Sequence, residues 1–319
     1  MPYISVVSPV YCAEECVAEL CRHLKHVLEP VTKDYEIILV DDNSLDNSWQ
    51  VIESEAKNDS RVHGIKLAKN FGQQKAITAG LDAARGDWVV VMDCDLQDPP
   101  EAIPELYKKA LEGYEIVLAQ FDERAESKLR QIISKTFWKA LSRLAGIPFD
   151  HRIGNFRIMS RLVVENFCKY REQLRLLSGI TSLMGFIYTT LPIKRQSRFA
   201  GKTSYTFKKL LFETFNIAMA YSDKPLRISV VVGLVISALS LLAAFSLFML
   251  WVINGTQVQG WISLMVSLYF LGGLIIANLG ILGFYIGKTF DESKHRPLYI
   301  IERTINTNAK TLFPPSKKQ

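Results

Sequence analysis

The sequence predicts an α/β protein in which a mostly parallel sheet is followed by two membrane-spanning helices. Three observations predict this class. Short apolar runs alternate with amphipathic stretches over residues 4–120, several of these runs end in acidic or amide side chains, and two long segments near the C-terminus carry no charge. Alternating strands and helices are typical of a parallel sheet covered by helices. With 319 residues, the chain has room for about two domains.

The predicted elements follow one another along the first part of the chain. Strands are predicted at Ile4–Val10, Tyr35–Val40, Val62–Leu67, Asp87–Met92 and Glu115–Gln120. The helices between them are predicted at Cys12–Leu28, Ser48–Ala56, Gln74–Ala84 and Ala102–Leu111. Open parallel sheets bind their ligands outside the carboxyl ends of the strands. Functional side chains are therefore expected where these strands end.

An acidic cluster follows the fourth predicted strand. Asp93 and Asp95 lie two residues apart, so in an extended backbone their carboxylates would project to the same side. With the side-chain carbonyl of Gln97 they provide oxygen ligands for an octahedral Mg²⁺ or Mn²⁺ that keeps positions open for phosphate oxygens. The alternative is a polar loop that only caps a buried strand.

Two uncharged segments predict transmembrane helices. Ile228–Ile253 and Trp261–Ile286 contain no charged residue, and each exceeds the roughly 20 apolar residues that a bilayer requires. The linker 254–260 is also uncharged, whereas basic residues flank the outer ends: Lys224, Arg227, Lys288, Lys294, Arg296 and Arg303. The positive-inside rule then places both termini in the cytoplasm. The prediction is a multi-pass protein of the inner (plasma) membrane.

Charge and cysteine content narrow the class further. The net charge is +6, but the basic residues are scattered and gather near the membrane ends. Attraction to anionic lipid headgroups explains this distribution better than nucleic-acid binding. The five cysteines include no C-x-x-C pair and no histidine at metal-binding spacing. A reduced cytoplasmic domain is therefore expected, with neither a disulfide framework nor a zinc site.

Six motifs occur in order along the chain. They are PVY at 9–11, VDDNS at 40–44, KNFGQQKAITAGLDAARGDWVVVMDCDLQDPPE at 69–101, GNFRIMSR at 154–161, RFAGKTSY at 198–205 and FYIGKTFDESKHRPLY at 284–299. Together they resemble the polyisoprenyl-phosphate glycosyltransferases of glycosyltransferase family 2, which include bactoprenol glucosyltransferases and dolichol-phosphate mannose synthase. The resemblance implies a GT-A (Rossmann-like) fold, a nucleotide-sugar donor, a divalent metal and a membrane lipid phosphate as acceptor.

The resemblance also implies a domain organisation. A cytoplasmic GT-A domain is expected over 1–205, followed by an amphipathic interfacial helix at 206–227. Transmembrane helices at 228–253 and 261–286 and a cytoplasmic tail at 287–319 complete the chain. Small residues such as Gly283 and Gly287, four apart, support close helix packing. A homo-oligomer, which in this family is often a tetramer, is therefore expected.

Matching positions assign the donor site. The nucleotide-sugar residues are expected to be Pro9, Val10, Tyr11, Asp41, Asp42, Asn70, Gly72, Lys75 and Asp93. Asp42, beside Asp41, matches the carboxylate that accepts from the uracil N3–H, although a helix N-cap is the alternative for such a pair. Asp93 would face the ribose or the metal, Asp95 would ligate the metal, and Gln97 would complete the ligand set. For Lys75, a solvated helix lysine is the alternative.

The candidates for binding the acceptor and donor phosphates are the basic residues Arg124, Arg130, Arg157, Arg198 and Lys202. An arginine fork binds phosphate with two parallel hydrogen bonds. The lipid phosphate is assigned to Arg124, Arg130, Arg198 and Lys202, and the catalytic set is Asp95, Asn155, Arg157 and Arg198. The alternative for Arg124 and Arg130 is a basic residue that only lies near anionic headgroups.

Three departures from the family pattern bear on mechanism. Cys12-Ala13 replaces the usual Asn-Glu, the loop 201–205 reads GKTSY, and Asn155 replaces the aspartate of G-D-F-R. An asparagine is not a general base. A polyprenyl phosphate, however, has a second pKa of about 6 and is largely ionised at neutral pH. An inverting attack by this phosphate needs positioning more than deprotonation.

The expected activity is transfer of one sugar to undecaprenyl phosphate at the cytoplasmic face of the membrane. Glucose from UDP-glucose is favoured, and the product would supply a lipid-linked sugar for cell-surface glycan modification such as that of O-antigen. The alternatives are an amino- or deoxy-sugar transferase of the lipid A modification type and a nucleotide-binding membrane scaffold without turnover. A processive polysaccharide synthase is disfavoured, because the sequence has no Q-x-x-R-W motif and too few spans.

Overall fold

The protein has two compact units in the computed structural model, which describes residues 4–121, 150, 152–194, 222–254 and 260–307. The first unit contains the described residues up to 194 together with 297–307. The second unit contains 222–254 and 260–296. The first is a helix-covered sheet and the second is a pair of long helices, as the sequence predicts.

The described strands of the first unit form one eight-stranded sheet. Its strands are β1 Ile4–Val10, β2 Tyr35–Asp41, β3 Val62–Leu67, β4 Trp88–Val91, β5 Ile116–Phe121, β6 Ile153–Ser160, β7 Tyr188–Ile193 and β8 Ile301–Ile305. Their order across the sheet is β7-β5-β6-β4-β1-β2-β3-β8. β6 runs antiparallel to β4 and β5, and β8 runs antiparallel to β3, while the other neighbours are parallel.

Helices cover both faces of this sheet. They are α1 Glu14–Leu28, α2 Ser48–Asn58, α3 Gln73–Ala83, α4 Ile103–Ala110, α5 Arg161–Lys169 and α6 Leu177–Leu183, with a 3₁₀ turn at Pro100–Ala102 before α4. α1, α2 and α4 pack on one face, and α3, α5 and α6 pack on the other. Strand side chains alternate between these two cores, so Ile37 and Leu39 contribute to one and Ile38 and Val40 to the other.

Three strands are absent from the sequence prediction. β6 carries the polar GNFR motif, whose residues suggest a site loop. β7 contains Pro192 and lies at one edge of the sheet, where proline is tolerated. β8 lies within the segment predicted as a cytoplasmic tail and pairs with β3, and residues 297–307 belong to the same unit as the sheet. The ends of the correctly predicted elements differ by one or two residues.

The second unit contains the two long apolar helices, α7 Lys224–Asn254 and α8 Trp261–Ser293. Both are long and apolar enough to cross a membrane, and their apolar surfaces are exposed, as at Leu241 and Ile276. They extend beyond the predicted spans into charged residues. The amide of Asn278 donates to the Leu274 carbonyl at 2.8 Å, which satisfies this polar group within its own helix. Membrane crossing itself stays a prediction.

A buried carboxylate fixes the segment that re-enters the sheet. The Tyr299 hydroxyl donates to Asp82 Oδ2 at 2.6 Å, and the Arg171 guanidinium donates to both Asp82 oxygens at 2.7 and 2.8 Å. Burial and the neighbouring Asp82 charge raise the pKa of Tyr299 well above its ordinary value. Leu298 is also buried in the same core. The last residues before β8 are thereby attached to α3.

Replacing Tyr299 by Phe is expected to lower the free energy of unfolding by about 1 to 2 kcal/mol, because the buried Asp82 loses a hydrogen bond. Tyr188→Phe is the control, because Tyr188 is 58% exposed on the edge strand β7. Urea unfolding of the full chain in detergent, followed by tryptophan fluorescence, measures both. Equal midpoints for the two variants would contradict the role of this bond.

Candidate active site

The candidate site lies at the carboxyl ends of the parallel strands β1, β2 and β4. These three ends lie side by side, and we call this side of the sheet the carboxyl edge. The loop after each of these strands contains one non-glycine residue in the left-handed region: Cys12 (φ 50°), Asn43 (φ 58°) and Leu96 (φ 58°). Such conformations are uncommon and cluster at functional sites. Because β6 runs antiparallel to β4, with Arg157 opposite Val91, the start of β6 reaches the same edge.

Carboxamides surround Asp93 at this edge. Asp93 Oδ1 accepts hydrogen bonds from Gln73 Nε2 at 2.8 Å and from Asn155 Nδ2 at 3.2 Å. Asn155 Oδ1 in turn accepts from Gln74 Nε2 at 3.3 Å, and Gln74 Oε1 accepts from the Leu177 N–H at 2.8 Å. We call Gln73, Gln74 and Asn155 the amide cluster. The two glutamines belong to the first turn of α3 and are absent from the predicted site, because an amide on a helix gives no sequence signal of its partner.

Asp95 lies in a turn rather than in a strand. β4 ends at Val91, so the expectation of an extended backbone through 93–95 is wrong. Asp95 Oδ1 accepts from the Gln97 N–H at 3.1 Å, and the buried Asp98 accepts from the Asp93 N–H at 3.0 Å. Asp98 therefore shapes the loop that presents both acidic residues. The sequence prediction omits it, although its position before Pro99 suggests a loop-closing role.

The available ligand atoms determine which kind of metal site these residues could form. Among the described residues, no group of three or more His, Cys, Asp and Glu side chains is placed to hold an ion. Mg²⁺ is usually bound by one or two carboxylates together with substrate phosphates and water. The half-buried carboxylates of Asp93 and Asp95 suit an ion that arrives with a diphosphate. The ligand role of Gln97 stays a prediction.

Asp41 and Asp42 are both buried at the end of β2. Asp42 Oδ1 accepts from the Phe71 N–H at 2.7 Å, and Asp42 Oδ2 accepts from the Gly72 N–H at 2.8 Å. Asp41 Oδ1 accepts from the Ser44 N–H at 3.0 Å, whereas the buried Asp41 Oδ2 accepts no hydrogen bond from the residues that the structure describes. Burial raises the pKa of both carboxyls above the ordinary value. Asp42 thus fixes the β3–α3 loop, and Asp41 presents an acceptor that lacks a donor.

The β2–α2 loop also caps α1. Three successive backbone N–H groups at the start of α1 donate to side chains of this loop and of the first residue of α2: Cys12 to Ser44 Oγ at 2.9 Å, Ala13 to Ser48 Oγ at 2.9 Å and Glu14 to Asp46 Oδ2 at 3.2 Å. These bonds satisfy N–H groups that a helix start leaves without partners. Only backbone atoms of Cys12 and Ala13 take part in them, so these contacts tolerate the departure from the family's Asn-Glu.

The remaining predicted nucleotide residues also converge on this edge. Pro9 and Val10 are buried in β1, and Tyr11 directly after them is 48% exposed. Asn70 is exposed in the β3–α3 loop, and Gly72 has a φ of +94° before α3. Lys75 follows in the first turn of α3, where its charge acts on Asp42. The structure therefore brings all nine predicted donor residues to the ends of neighbouring strands.

Arg157 differs from its prediction as a residue that contacts a phosphate. Its side chain is fully buried and donates to the carbonyls of Asn155 (3.1 Å) and Gly154 (2.8 Å) and to the hydroxyls of Ser178 (2.7 Å) and Thr181 (3.3 Å). Burial lowers its pKa to about 10. We therefore revise its role to support of the backbone around Asn155, because its donors point into protein.

The predicted lipid-phosphate residues Arg124, Arg130, Arg198 and Lys202 lie outside the described residues. Their assignment stays a prediction.

Comparison with known proteins gives several matches. The model of the family described as glycosyl transferase family 2 matches residues 5–167. A bactoprenol glucosyl transferase of Shigella phage SfV is 34% identical over 300 residues, which cover 94% of this chain and 98% of that protein. A prophage bactoprenol glucosyl transferase homolog of Escherichia coli (strain K12) is 35% identical over 301 residues, with the same coverage.

Two further matches extend this comparison. An uncharacterized glycosyltransferase of Bacillus subtilis (strain 168) is 36% identical over 310 residues, which cover 97% of this chain and 96% of that protein. Among solved structures, mannosyl-3-phosphoglycerate synthase from Rubrobacter xylanophilus matches with a TM-score of 0.50 and 19% identity, and the match covers 69% of this chain and 73% of that one. At this identity the likeness concerns the fold alone.

Gly72→Ala is expected to weaken binding of UDP, the predicted nucleotide, because a side chain at φ +94° strains the loop that Asp42 holds. Gly113→Ala is the matched control: Gly113 has a φ of +104°, and an added Cβ meets nothing within 4 Å at either position. Gly113 precedes β5 and so lies at the amino-terminal end of a strand, on the side of the sheet opposite the candidate site.

Both substitutions are expected to cost about 1 to 2 kcal/mol of stability. Calorimetric titration with UDP and Mn²⁺ then separates them, since only Gly72→Ala should raise the Kd. An equal effect of both variants on the Kd would show that the loop has no specific part in binding.

Proposed function

Because the chain belongs to glycosyltransferase family 2 and has the GT-A fold, we propose that this glycosyltransferase moves one sugar from a nucleotide sugar to a polyprenyl phosphate. Undecaprenyl phosphate is the favoured acceptor and UDP-glucose the favoured donor. One observation carries this proposal: the match to bactoprenol glucosyl transferases continues beyond the sheet through both apolar helices. A lipid acceptor suits a chain that carries such helices.

The geometry of the strand ends supports a nucleotide donor. Asp42, which is predicted to accept from the uracil N3–H, already accepts from the Phe71 and Gly72 N–H groups. The neighbouring Asp41 Oδ2 accepts no hydrogen bond from the described residues, so we assign the nucleobase N–H to Asp41 instead. Tyr11, exposed at the end of β1, offers a ring on which a base could pack. Asp42 holds the adjacent loop, so the base, ribose and diphosphate would meet residues of three neighbouring strand ends.

The carboxylates of Asp93 and Asp95 would hold a divalent metal, Mg²⁺ or Mn²⁺, and Gln97 is the third proposed ligand. When bound, such an ion offsets the negative charge that develops on the departing nucleoside diphosphate. The protein's own contribution is to fix the two carboxylates. The amide cluster does this for Asp93, and the 94–95 turn does it for Asp95.

The proposed reaction is a single displacement with inversion. An ionised oxygen of the lipid phosphate forms a bond to the anomeric carbon, and the bond from that carbon to the nucleoside diphosphate breaks with its electron pair. No proton has to be removed from a phosphate that is already ionised, so an asparagine at 155 is compatible with turnover. Arg124, Arg130, Arg198 and Lys202 are the proposed partners of the acceptor phosphate.

The proposal includes a membrane setting. The two apolar helices would cross the inner (plasma) membrane with the sheet unit and both termini in the cytoplasm, where nucleotide sugars are made. The protein would act as a homotetramer, and its product would supply a sugar for cell-surface glycan modification. Protease protection in sealed vesicles of known orientation tests this topology: cleavage of the sheet unit only in inside-out vesicles is expected.

The identity of the sugar is the finest level of the proposal. An amino- or deoxy-sugar transferase and a nucleotide-binding scaffold without turnover are the competing functions. A panel of UDP- and GDP-sugars, each tested for transfer to a short polyprenyl phosphate, distinguishes them. Transfer of glucose supports the proposal, transfer of another sugar selects the competing transferase, and metal-dependent nucleotide binding without any product indicates the scaffold.

Asp95→Asn is expected to lower transfer at least about a hundredfold, because an amide replaces a charged ligand of the metal that stabilises the leaving diphosphate. Removal of metal with EDTA should abolish transfer in the wild-type protein, and added Mn²⁺ should restore it. Product formation from UDP-glucose is the measurement.

Asp87→Asn is the matched control. Asp87 is exposed immediately before β4, at the opposite end of the strand that leads to Asp95. This variant should transfer sugar at the wild-type rate. If Asp95→Asn retained full activity, the metal assignment would be wrong.

A further inference from the structure

Two half-buried amides, those of Gln74 and Asn155, connect the start of α6 to Asp93. The Leu177 N–H donates to Gln74 Oε1, Gln74 Nε2 donates to Asn155 Oδ1, and Asn155 Nδ2 donates to Asp93 Oδ1. We propose that Gln74 is a positioning residue that orients the Asn155 amide so that its NH₂ group faces Asp93. This inference rests on the function proposed for the same site.

The direction of these hydrogen bonds is fixed at both ends. A backbone N–H can only donate, so the Gln74 atom that faces Leu177 is the carbonyl oxygen. The NH₂ group of Gln74 must then face Asn155, which turns the Asn155 oxygen toward Gln74. At the other end, an ionised Asp93 carboxylate can only accept, and it receives the NH₂ group of Asn155. The orientation of both amides therefore follows from groups whose roles are unambiguous.

Loss of the Gln74 NH₂ group would remove this constraint. Asn155 would then be oriented by Asp93 alone, and the less constrained amide would hold the carboxylate less firmly. Hydrogen bonds to ligating carboxylates set their orientation and strongly affect metal affinity. Gln73 also donates to Asp93 Oδ1, but this bond does not control the orientation of Asn155.

The asparagine at 155 gives Gln74 its importance. An aspartate at this position, as in the family pattern, could accept from Gln74 but could not donate to Asp93 when ionised. In this chain the amide both accepts and donates, and only one of its two orientations does so usefully. Gln74 selects that orientation.

A double-mutant cycle tests whether Gln74 acts through Asn155. Gln74→Met keeps the side-chain length without a donor or acceptor pair, and Asn155→Ala removes the amide. Each is expected to lower kcat for transfer from UDP-glucose to undecaprenyl phosphate about tenfold and to weaken Mn²⁺ binding in the presence of UDP, measured by electron paramagnetic resonance. The double variant should be no worse than Asn155→Ala. Losses that multiply to about a hundredfold would overturn the proposal, because independent sites add their free energies.

Gln74→Glu separates positioning from simple bridging. Glutamate keeps an acceptor for the Leu177 N–H but has no NH₂ group for Asn155. If Gln74 only accepts a hydrogen bond from α6, this variant should have the wild-type kcat and Mn²⁺ affinity. If Gln74 orients Asn155, kcat and Mn²⁺ affinity should fall as far as in Gln74→Met, while Tm stays near the wild-type value. Gln50→Glu, on the exposed face of α2, controls for the added charge and should leave kcat unchanged.

The two readouts keep this inference separate from the proposed function. A wild-type protein that binds Mn²⁺ and UDP but transfers no sugar would defeat the proposed function, and the cycle measured in Mn²⁺ affinity would still decide the role of Gln74. Wild-type activity in Gln74→Glu would defeat the inference and leave the proposed function intact. Failure of the wild type to bind Mn²⁺ with UDP would overturn both.

Discussion

The hydrogen bonds from the Phe71 and Gly72 N–H groups to the buried Asp42 carboxylate are the interaction on which the rest of the site depends. They attach the β3–α3 loop to the end of β2, and Gly72 permits the positive φ that this attachment requires. α3 begins at the next residue, so its first turn is placed by the same bonds. Gln73 and Gln74 reach Asp93 and Asn155 from that turn.

The direction of β6 supplies the second half of the site. A strand parallel to β4 would begin beside the amino-terminal end of β4, and Asn155 would then lie far from Asp93. Because β6 is antiparallel, its first residues lie beside the loop that follows β4. The buried Arg157 then binds the carbonyls of Gly154 and Asn155 and holds this start in place. A buried guanidinium with four protein acceptors is better suited to this support than to binding a phosphate.

Sequence patterns predict the strands β1 to β5 because each is a short, mainly apolar run that is followed by polar residues. β6 and β8 lack such a run: β6 includes Asn155 and Arg157, and β8 has only polar residues between its two terminal isoleucines and lies at an edge of the sheet. The site residues Asp93 and Asp95 can also be predicted from the sequence, because aspartates that directly follow an apolar strand are typical of a ligand site. Gln73 and Gln74 cannot be predicted as site residues, because their partners Asp93 and Asn155 are distant in sequence. Asp98 cannot be predicted either, because a polar residue in a loop gives no sequence signal of the N–H group that it binds.

The chemistry proposed for the site follows from its concentration of acidic groups and from the absence of a general base at position 155. Asp41, Asp42, Asp93 and Asp95 concentrate acidic groups at one edge, and burial already raises the pKa of the first two. Backbone N–H groups and carboxamides offset this charge without adding a proton-transfer group. With Asn155 as one of those carboxamides, the described part of the site orients its acidic groups. In the proposed reaction, the acceptor phosphate is already ionised and needs no base. Rate would then depend on how firmly Asp93 and Asp95 are held, which is why the first turn of α3 matters to the chemistry as much as to the fold.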